Sequence, residues 1–142
     1  MSKISAPVSF FVELAKLQAI MNRRFDSHLG GLGFNELIIL LHLSRADEGK
    51  MRRIDLAEAI GLTASGVTRL LLPMEKIGLV KKEVNQEDAR SSLVSLAPGG
   101  KRKLEEGIER AELLLNDIVP SNKRNDLKRM TDVLLELGGY IR

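Results

Sequence analysis

The stretch Thr63-Ala64-Ser65-Gly66-Val67-Thr68-Arg69-Leu70-Leu71-Leu72-Pro73-Met74-Glu75-Lys76-Ile77 decides how the rest of the chain reads. Wound at roughly 100° per residue, it gathers Val67, Leu70, Leu71 and Met74 on one side and Ser65, Thr68, Arg69 and Leu72 on the other. The first side is oily and the second is mostly small and hydrogen-bonding. A helix face that meets only water usually carries Glu and Lys. Ser, Thr and Arg beside the small Ala64 and Gly66 suit a helix pressed closely against a polar surface, such as the groove of a DNA duplex.

The flanks sharpen this reading. Upstream, Ile54, Leu56, Ala57 and Ile60 predict a helix of about two turns, closed at Gly61, the residue type that tolerates the left-handed conformation. Thr63 then stands where an N-cap belongs. Two short helices joined through a glycine turn make a helix-turn-helix, whose second member enters the major groove. Downstream, Leu79 to Val84 and Ser92 to Leu96 read as short strands, and the loop Asn85 to Ser91 between them is polar apart from Ala89. That pattern predicts a β-hairpin wing, with Lys50 to Arg52 as a third short strand beside it.

The segment resembles the winged helix-turn-helix of the MarR family of bacterial transcription regulators. The resemblance is carried by Asp55-Leu56-Ala57-Glu58-Ala59-Ile60-Gly61-Leu62-Thr63, Val67-Thr68-Arg69-Leu70-Leu71, Met74-Glu75-Lys76-Ile77-Gly78-Leu79-Val80 and Asp88-Ala89-Arg90-Ser91, followed by Leu96 and Gly100. It implies a mainly α fold with a small β-hairpin wing, flanked by N- and C-terminal dimerisation helices. On that plan residues 1–142 form a single domain, with the winged helix-turn-helix at about 34–97 and dimerisation helices at about 7–29 and 98–142. The resemblance also implies that Arg90 enters the minor groove and that Asp88 orients it. A narrow minor groove concentrates negative potential, which gives an arginine at a loop tip a reason to enter. Taken alone, an Asp-x-Arg pair would be a surface salt bridge; the flanking strands and helix pair favour the DNA role.

The remaining contacts follow from position. Ser65, Thr68 and Arg69 are expected at base edges, with Ala64 allowing close approach, whereas Thr63, Arg53, Lys76 and Ser91 are expected beside phosphates. Two features depart from expectation. Family members commonly carry a polar pair, often Asp-Arg, where this chain has Leu72-Pro73, so the contact of that arginine is lost. A proline inside a helix also removes a hydrogen bond, which predicts a kink or break near Arg69 to Pro73. Gly66 costs roughly 1 kcal/mol against alanine in a helix, and either close approach to a sugar-phosphate chain or tight packing on the preceding helix would justify it.

At 142 residues the chain has the length of one domain, and it contains no cysteine, which removes disulfides and thiolate metal sites. Met1 to Lys16 lacks the pattern of a secretory signal, and no apolar run approaches about 18 residues, so a soluble, cytoplasmic protein without a membrane partner is expected. Net charge is only +3, but Lys50 to Lys103 holds 11 Lys or Arg against 6 Asp or Glu. Positive charge therefore concentrates on the proposed DNA reader.

Outside the winged segment the chain is written in apolar stripes. Phe10, Leu14, Leu17, Met21 and Phe25 mark a first helix from about Pro7 to His28; Gly30-Gly31-Leu32-Gly33 lacks the context of a phosphate-binding loop and reads as a linker. Phe34 to Ser44 forms a second helix with Leu37, Leu40 and Leu41 inward, and Ala46 to Gly49 a polar turn. Pro98 opens a long helix with Leu104, Ile108, Ala111, Leu115 and Ile118 in heptad rhythm; Ala97 stands where relatives usually have a threonine cap, so this start should fray. Pro120 ends it, and Ser121 can cap a last helix bearing Leu127, Met130, Leu134, Leu137 and Ile141. The stripes exceed what one small winged domain covers, and by themselves they fit an intramolecular helical bundle as well as an interface. The resemblance implies terminal helices that interlock between two chains, hence a homodimer with recognition helices spaced for half-sites about 34 to 36 Å apart in a pseudo-palindromic duplex.

No nucleophile, acid-base cluster or His-Glu-x-x-His spacing is present, so no enzyme, metal site or cofactor is expected. His28 and His42 are the only histidines. Some relatives bind small aromatic acids between the dimer helices and the winged domains, so the resemblance implies a repressor released by a small-molecule effector, without naming one for this chain. A second reading, a winged dimer that binds a protein and has lost most DNA affinity, rests on Leu72-Pro73. An exposed Leu72 would favour it.

Overall fold

The computed structural model describes residues 3–88 and 90–140; Ala89 in the wing loop and Ile141 in the last apolar stripe lie outside the described residues. Helix α1 spans Ala6–His28, where Ser5 Oγ accepts from the Val8 amide at 3.4 Å. Helix α2, Phe34–Arg45, begins with Glu36 reaching back to the Gly33 amide at 2.8 Å. A 3-10 turn, Asp47–Gly49, leads into strand β1, Lys50–Arg52, then α3, Arg53–Ile60, and α4, Ala64–Lys76. Strands β2, Val80–Val84, and β3, Ser92–Leu96, follow, then α5, Pro98–Ile118, a 3-10 turn, Ser121–Lys123, and α6, Arg124–Tyr140.

The three strands form an antiparallel sheet in the order β1-β3-β2, with Met51 opposite Val94 and Lys82 opposite the same residue on the other side. The sheet, α2, α3 and α4 enclose one core in which Leu29, Ile39, Leu40, Leu43, Leu56, Val67 and Met74 are fully buried. Phe25 and Phe34 stack at its edge with ring centroids 4.3 Å apart. This architecture is the expected mainly α fold with a small wing.

The close joint between α5 and the winged segment depends on glycine. A Cβ on Gly100 would lie 2.0 Å from the Leu79 carbonyl oxygen, and one on Gly107 would lie 2.8 Å from Leu37 Cδ1. Backbone and α2 therefore approach α5 where a side chain would stand. Ala97 indeed provides no side-chain cap, but its amide donates to Leu79 O at 3.0 Å and the residue is buried, so the start of α5 is pinned by the chain rather than by a hydroxyl.

Other expectations need adjustment. Helix α4 is not broken at Pro73: it runs from Ala64 to Lys76 as one element. Leu71 and Met74, on either side of the proline, are both buried in the core, and Ile77 N still donates to Pro73 O at 3.2 Å. Anchoring on both sides outweighs the one lost bond. Ser121 begins a 3-10 turn without a side-chain cap, so α6 starts later, at Arg124. On α5 the buried face is Gly100, Leu104, Gly107 and Leu114, while Ile108 and Ile118 of the heptad series stay exposed.

Candidate nucleic-acid interface

Helix α4 is placed by its two ends and its oily side. Gly61 closes α3 with φ +75°, and Thr63 Oγ1 accepts from the Gly66 amide at 3.1 Å, fixing where α4 begins. Val67, Leu71 and Met74 are then buried and Leu70 half-buried. The opposite side turns outward: Ala64, Ser65, Arg69, Leu72 and Lys76 are exposed and Thr68 is half-buried. The division read from the sequence is the one the helix adopts.

Gly66 has a nearer constraint than α3. A Cβ there would meet Thr63 Oγ1 at 3.1 Å and Leu62 Cβ at 3.9 Å, and no atom of α3 lies closer. Packing against the preceding helix is therefore not what the glycine serves. It makes room for the Thr63 hydroxyl that caps the first turn of α4.

Arg53 is the hinge of the arrangement. Its Nη1 donates to Thr68 Oγ1 at 3.1 Å and its Nη2 to Ser92 Oγ at 3.1 Å, so one half-buried guanidinium joins α3, α4 and the base of the wing. Arg53 was expected beside a phosphate; much of its donor capacity serves this strut. It also borders two recesses. One, of about 50 Å³, lies between α4 and β2 and includes Thr68, Leu72, Glu75 and Lys82. The other, of about 590 Å³, runs along the wing past Lys82, Arg90, Ser91 and Ser92.

The wing tip is tied by short side chains. Asn85 Nδ2 donates to Ser91 Oγ at 2.9 Å, and Asn85 Oδ1 accepts from the Glu87 amide at 3.1 Å. Asp88 Oδ1 accepts from the Arg90 amide at 3.0 Å, while Asp88 O accepts from the Ser91 amide at 3.2 Å. Asp88 thus shapes the backbone that carries Arg90 rather than gripping its guanidinium. Arg90 itself is exposed.

The cations around this surface fall into two groups. Arg52 forms a two-point pair with Asp55, Nε to Oδ2 at 2.8 Å and Nη2 to Oδ1 at 3.0 Å, and Lys50 Nζ lies 2.9 Å from Glu83 Oε2. Hydrogen bonding from Arg52 holds the Asp55 carboxyl below its ordinary value, and Lys50 does the same for Glu83. Arg69, Lys76, Lys82 and Arg90 make no salt bridge among the described residues. Lys82 was not singled out from the sequence. Strand periodicity was the available signal, since it puts Lys82 on the β2 face shared with Val80 and Val84.

The two histidines are tied to their own helices. Each ring Nδ1 bonds the carbonyl four residues back, His28 to Arg24 O at 2.6 Å and His42 to Ile38 O at 2.9 Å. No group of three or more His, Cys, Asp or Glu placed to hold a metal occurs among the described residues. Nor is any described helix long and apolar enough to cross a membrane.

A capped helix pair, a three-stranded sheet and an outward polar face on the second helix define a winged helix-turn-helix protein. A MarR family model matches residues 30–91, the span that carries the helix pair and the wing. A protein of Bacillus subtilis (strain 168), the uncharacterized HTH-type transcriptional regulator YdgJ, is 23% identical over 137 residues, which cover 96% of this chain and 82% of that one. The crystal structure of the transcriptional regulator BldR from Sulfolobus solfataricus superposes with a TM-score of 0.81 at 25% identity, covering 96% of this chain and 99% of BldR. A mutant MarR from E. coli, crystallised with operator DNA, shares the fold at 16% identity with a TM-score of 0.72, covering 92% and 94% of the two chains.

Proposed function

We propose that this protein is a homodimeric transcription regulator that binds a pseudo-palindromic DNA duplex in a sequence-specific way. The observation that carries the reading is the outward side of α4: Ser65 and Arg69 are exposed while Val67, Leu71 and Met74 anchor the helix. Arg69 and Ser65 are assigned to base edges, with Thr68 held at the groove wall by Arg53. Thr63, Lys76 and Ser91 are assigned to phosphates, joined by Lys82, and Arg90 to the minor groove. Arg53 and Asp88 act chiefly by positioning. A similar fold bound to operator DNA, that of E. coli MarR, supports the reading.

Dimerisation through the terminal helices is supported by what they leave uncovered. Phe10, Phe11 and Leu17 of α1, Leu113 of α5, and Leu127, Met130, Leu134 and Leu135 of α6 are exposed. A groove of about 400 Å³ between α1 and α6 is lined by Phe10, Leu14, Leu17, Leu127, Met130 and Leu134. Water-exposed apolar surface on this scale marks an interface. On this reading residues about 34–97 read DNA and the two ends of the chain pair with a second copy. Repression by occupying the duplex, relieved by a small-molecule effector, is the regulatory mode we assign from the family resemblance; a regulator of this kind works in the cytoplasm.

A second reading stays open because Leu72 is 53% exposed on the outward side of α4, as a protein-interaction module would require. Selection of bound fragments from the source genome separates the two. The regulator reading expects a duplex motif with two inverted half-sites, and the module reading expects no enrichment.

A further inference from the structure

Leu72 stands in the middle of the face that the proposed function turns to DNA. Seven residues beyond Ser65, it points within roughly 20° of that residue and about 10 Å further along the helix axis, between the directions of Thr68 and Arg69. It is the one exposed large apolar side chain among the described residues of α4. Its neighbours along this face are the exposed cations Arg69, three residues before, and Lys76, four after. A leucine so placed has no donor or acceptor for a base-edge hydrogen bond. In the major groove the thymine C5-methyl is the apolar group that such a side chain can meet.

We propose that Leu72 is a specificity-determining residue that reads a thymine methyl in each half-site. The inference rests on the DNA-binding reading above and deepens it. Continuity of α4 from Ser65 to Leu72 matters here, because a break near Arg69 would have turned Leu72 away from the direction of Ser65. A protein partner is the less favoured occupant: the core of a protein interface gathers several apolar side chains, whereas Leu72 stands alone on this face among Thr68, Arg69, Glu75 and Lys76.

The test uses the full-length protein and a duplex enriched by the wild type. Each thymine is replaced in turn by deoxyuridine, which lacks only the methyl group, and affinity is measured for wild type, Leu72→Ala and Leu72→Met. The wild type is expected to lose about threefold to fivefold per half-site at one position, the scale of one methyl left in water. Leu72→Ala should bind the thymine duplex more weakly by a similar factor and show no further loss with deoxyuridine at that position. Leu72→Met, which keeps an apolar tip, should retain the sensitivity. Equal sensitivity in wild type and Leu72→Ala, or none in the wild type at any thymine, overturns the assignment while leaving DNA binding intact. Failure of the wild type to enrich any duplex overturns the DNA-binding reading itself, and this assignment with it.

Discussion

Arg53 Nη1 donates to Thr68 Oγ1 at 3.1 Å across 15 residues of sequence, which couples the first helix of the pair to the outward face of the second. The same guanidinium reaches Ser92 of the wing. One side chain thus sets both the recess beside α4 and the root of the strand that carries the wing. A planar group with two amino arms can hold two hydroxyls at once; an ammonium on a flexible stem holds them less well.

Replacing Arg53 with alanine should therefore lower stability by about 2 kcal/mol, as charge-assisted hydrogen bonds in half-buried positions are lost. Duplex affinity should fall with it. Thr68→Val removes one of the two bonds, so the double mutant Arg53→Ala, Thr68→Val should cost less than the two single changes added. Urea unfolding of the four proteins in the cycle measures this coupling. Strict additivity would show that the bond contributes nothing, and full recovery by Arg53→Lys would show that its planar geometry is immaterial.

Arg69 and Lys76 should separate cleanly in a binding assay. Arg69→Ala is expected to cost about 1 to 3 kcal/mol on the preferred duplex and to relax discrimination at one position of each half-site. Lys76→Ala should weaken all duplexes alike and flatten the salt dependence. An unchanged sequence preference in the Arg69 variant would remove that residue from base reading.

Gly100 is the position where the fold leaves no room. An alanine Cβ would sit 2.0 Å from Leu79 O, a backbone atom held in turn by the Ala97 amide. Gly100→Ala should destabilise the protein by about 3 kcal/mol, at the upper end of overpacking costs, and lower its thermal midpoint by several degrees. Gly139→Ala, where nothing lies within 4 Å of the added atom, serves as the control and should not lower it.

The Arg52 and Asp55 pair predicts a small acid-dependent term. Because the folded protein holds the Asp55 carboxyl below its ordinary value of 3.8, the pair adds stability that is fully present above that value. It is lost as pH falls through the lower folded value. The difference in urea midpoint between wild type and Asp55→Asn should therefore be constant from neutral pH down to about pH 5 and shrink toward about pH 3. A difference that grows on acidification would reverse the sign. Both side chains are about half exposed, so solvent screening keeps the effect small and added salt should reduce it further.

The parts of this fold that the sequence made legible are those set by neighbours in the chain. Gly61 closing α3, Thr63 capping α4 and the alternation of Val67, Leu71 and Met74 with Ser65 and Arg69 are all local patterns, and each took the expected form. The parts it hid depend on distant partners. Nothing near Arg53 in sequence announces hydroxyls 15 and 39 residues away. The unbroken course of α4 through Pro73 came from core packing on both sides of it, which local propensity cannot register. On α5 the heptad count found the helix but missed Gly107 and Leu114, because the buried face follows the contour of α2 and the Leu79 turn rather than a strict repeat.

Salt dependence of duplex binding tests the central claim most directly, because a surface that takes its affinity from Arg69, Lys76, Lys82 and Arg90 must release counterions when it binds. With a duplex enriched by the wild type and followed by fluorescence anisotropy, affinity should fall about 100-fold or more between about 50 and 200 mM salt, as Lys76 and Lys82 of both protomers on phosphates require, with Arg69 and Arg90 adding to the fall. Affinity that stays level across that range, or failure to enrich any duplex at the lowest salt, would contradict the claim that the outward side of α4 is a DNA reader.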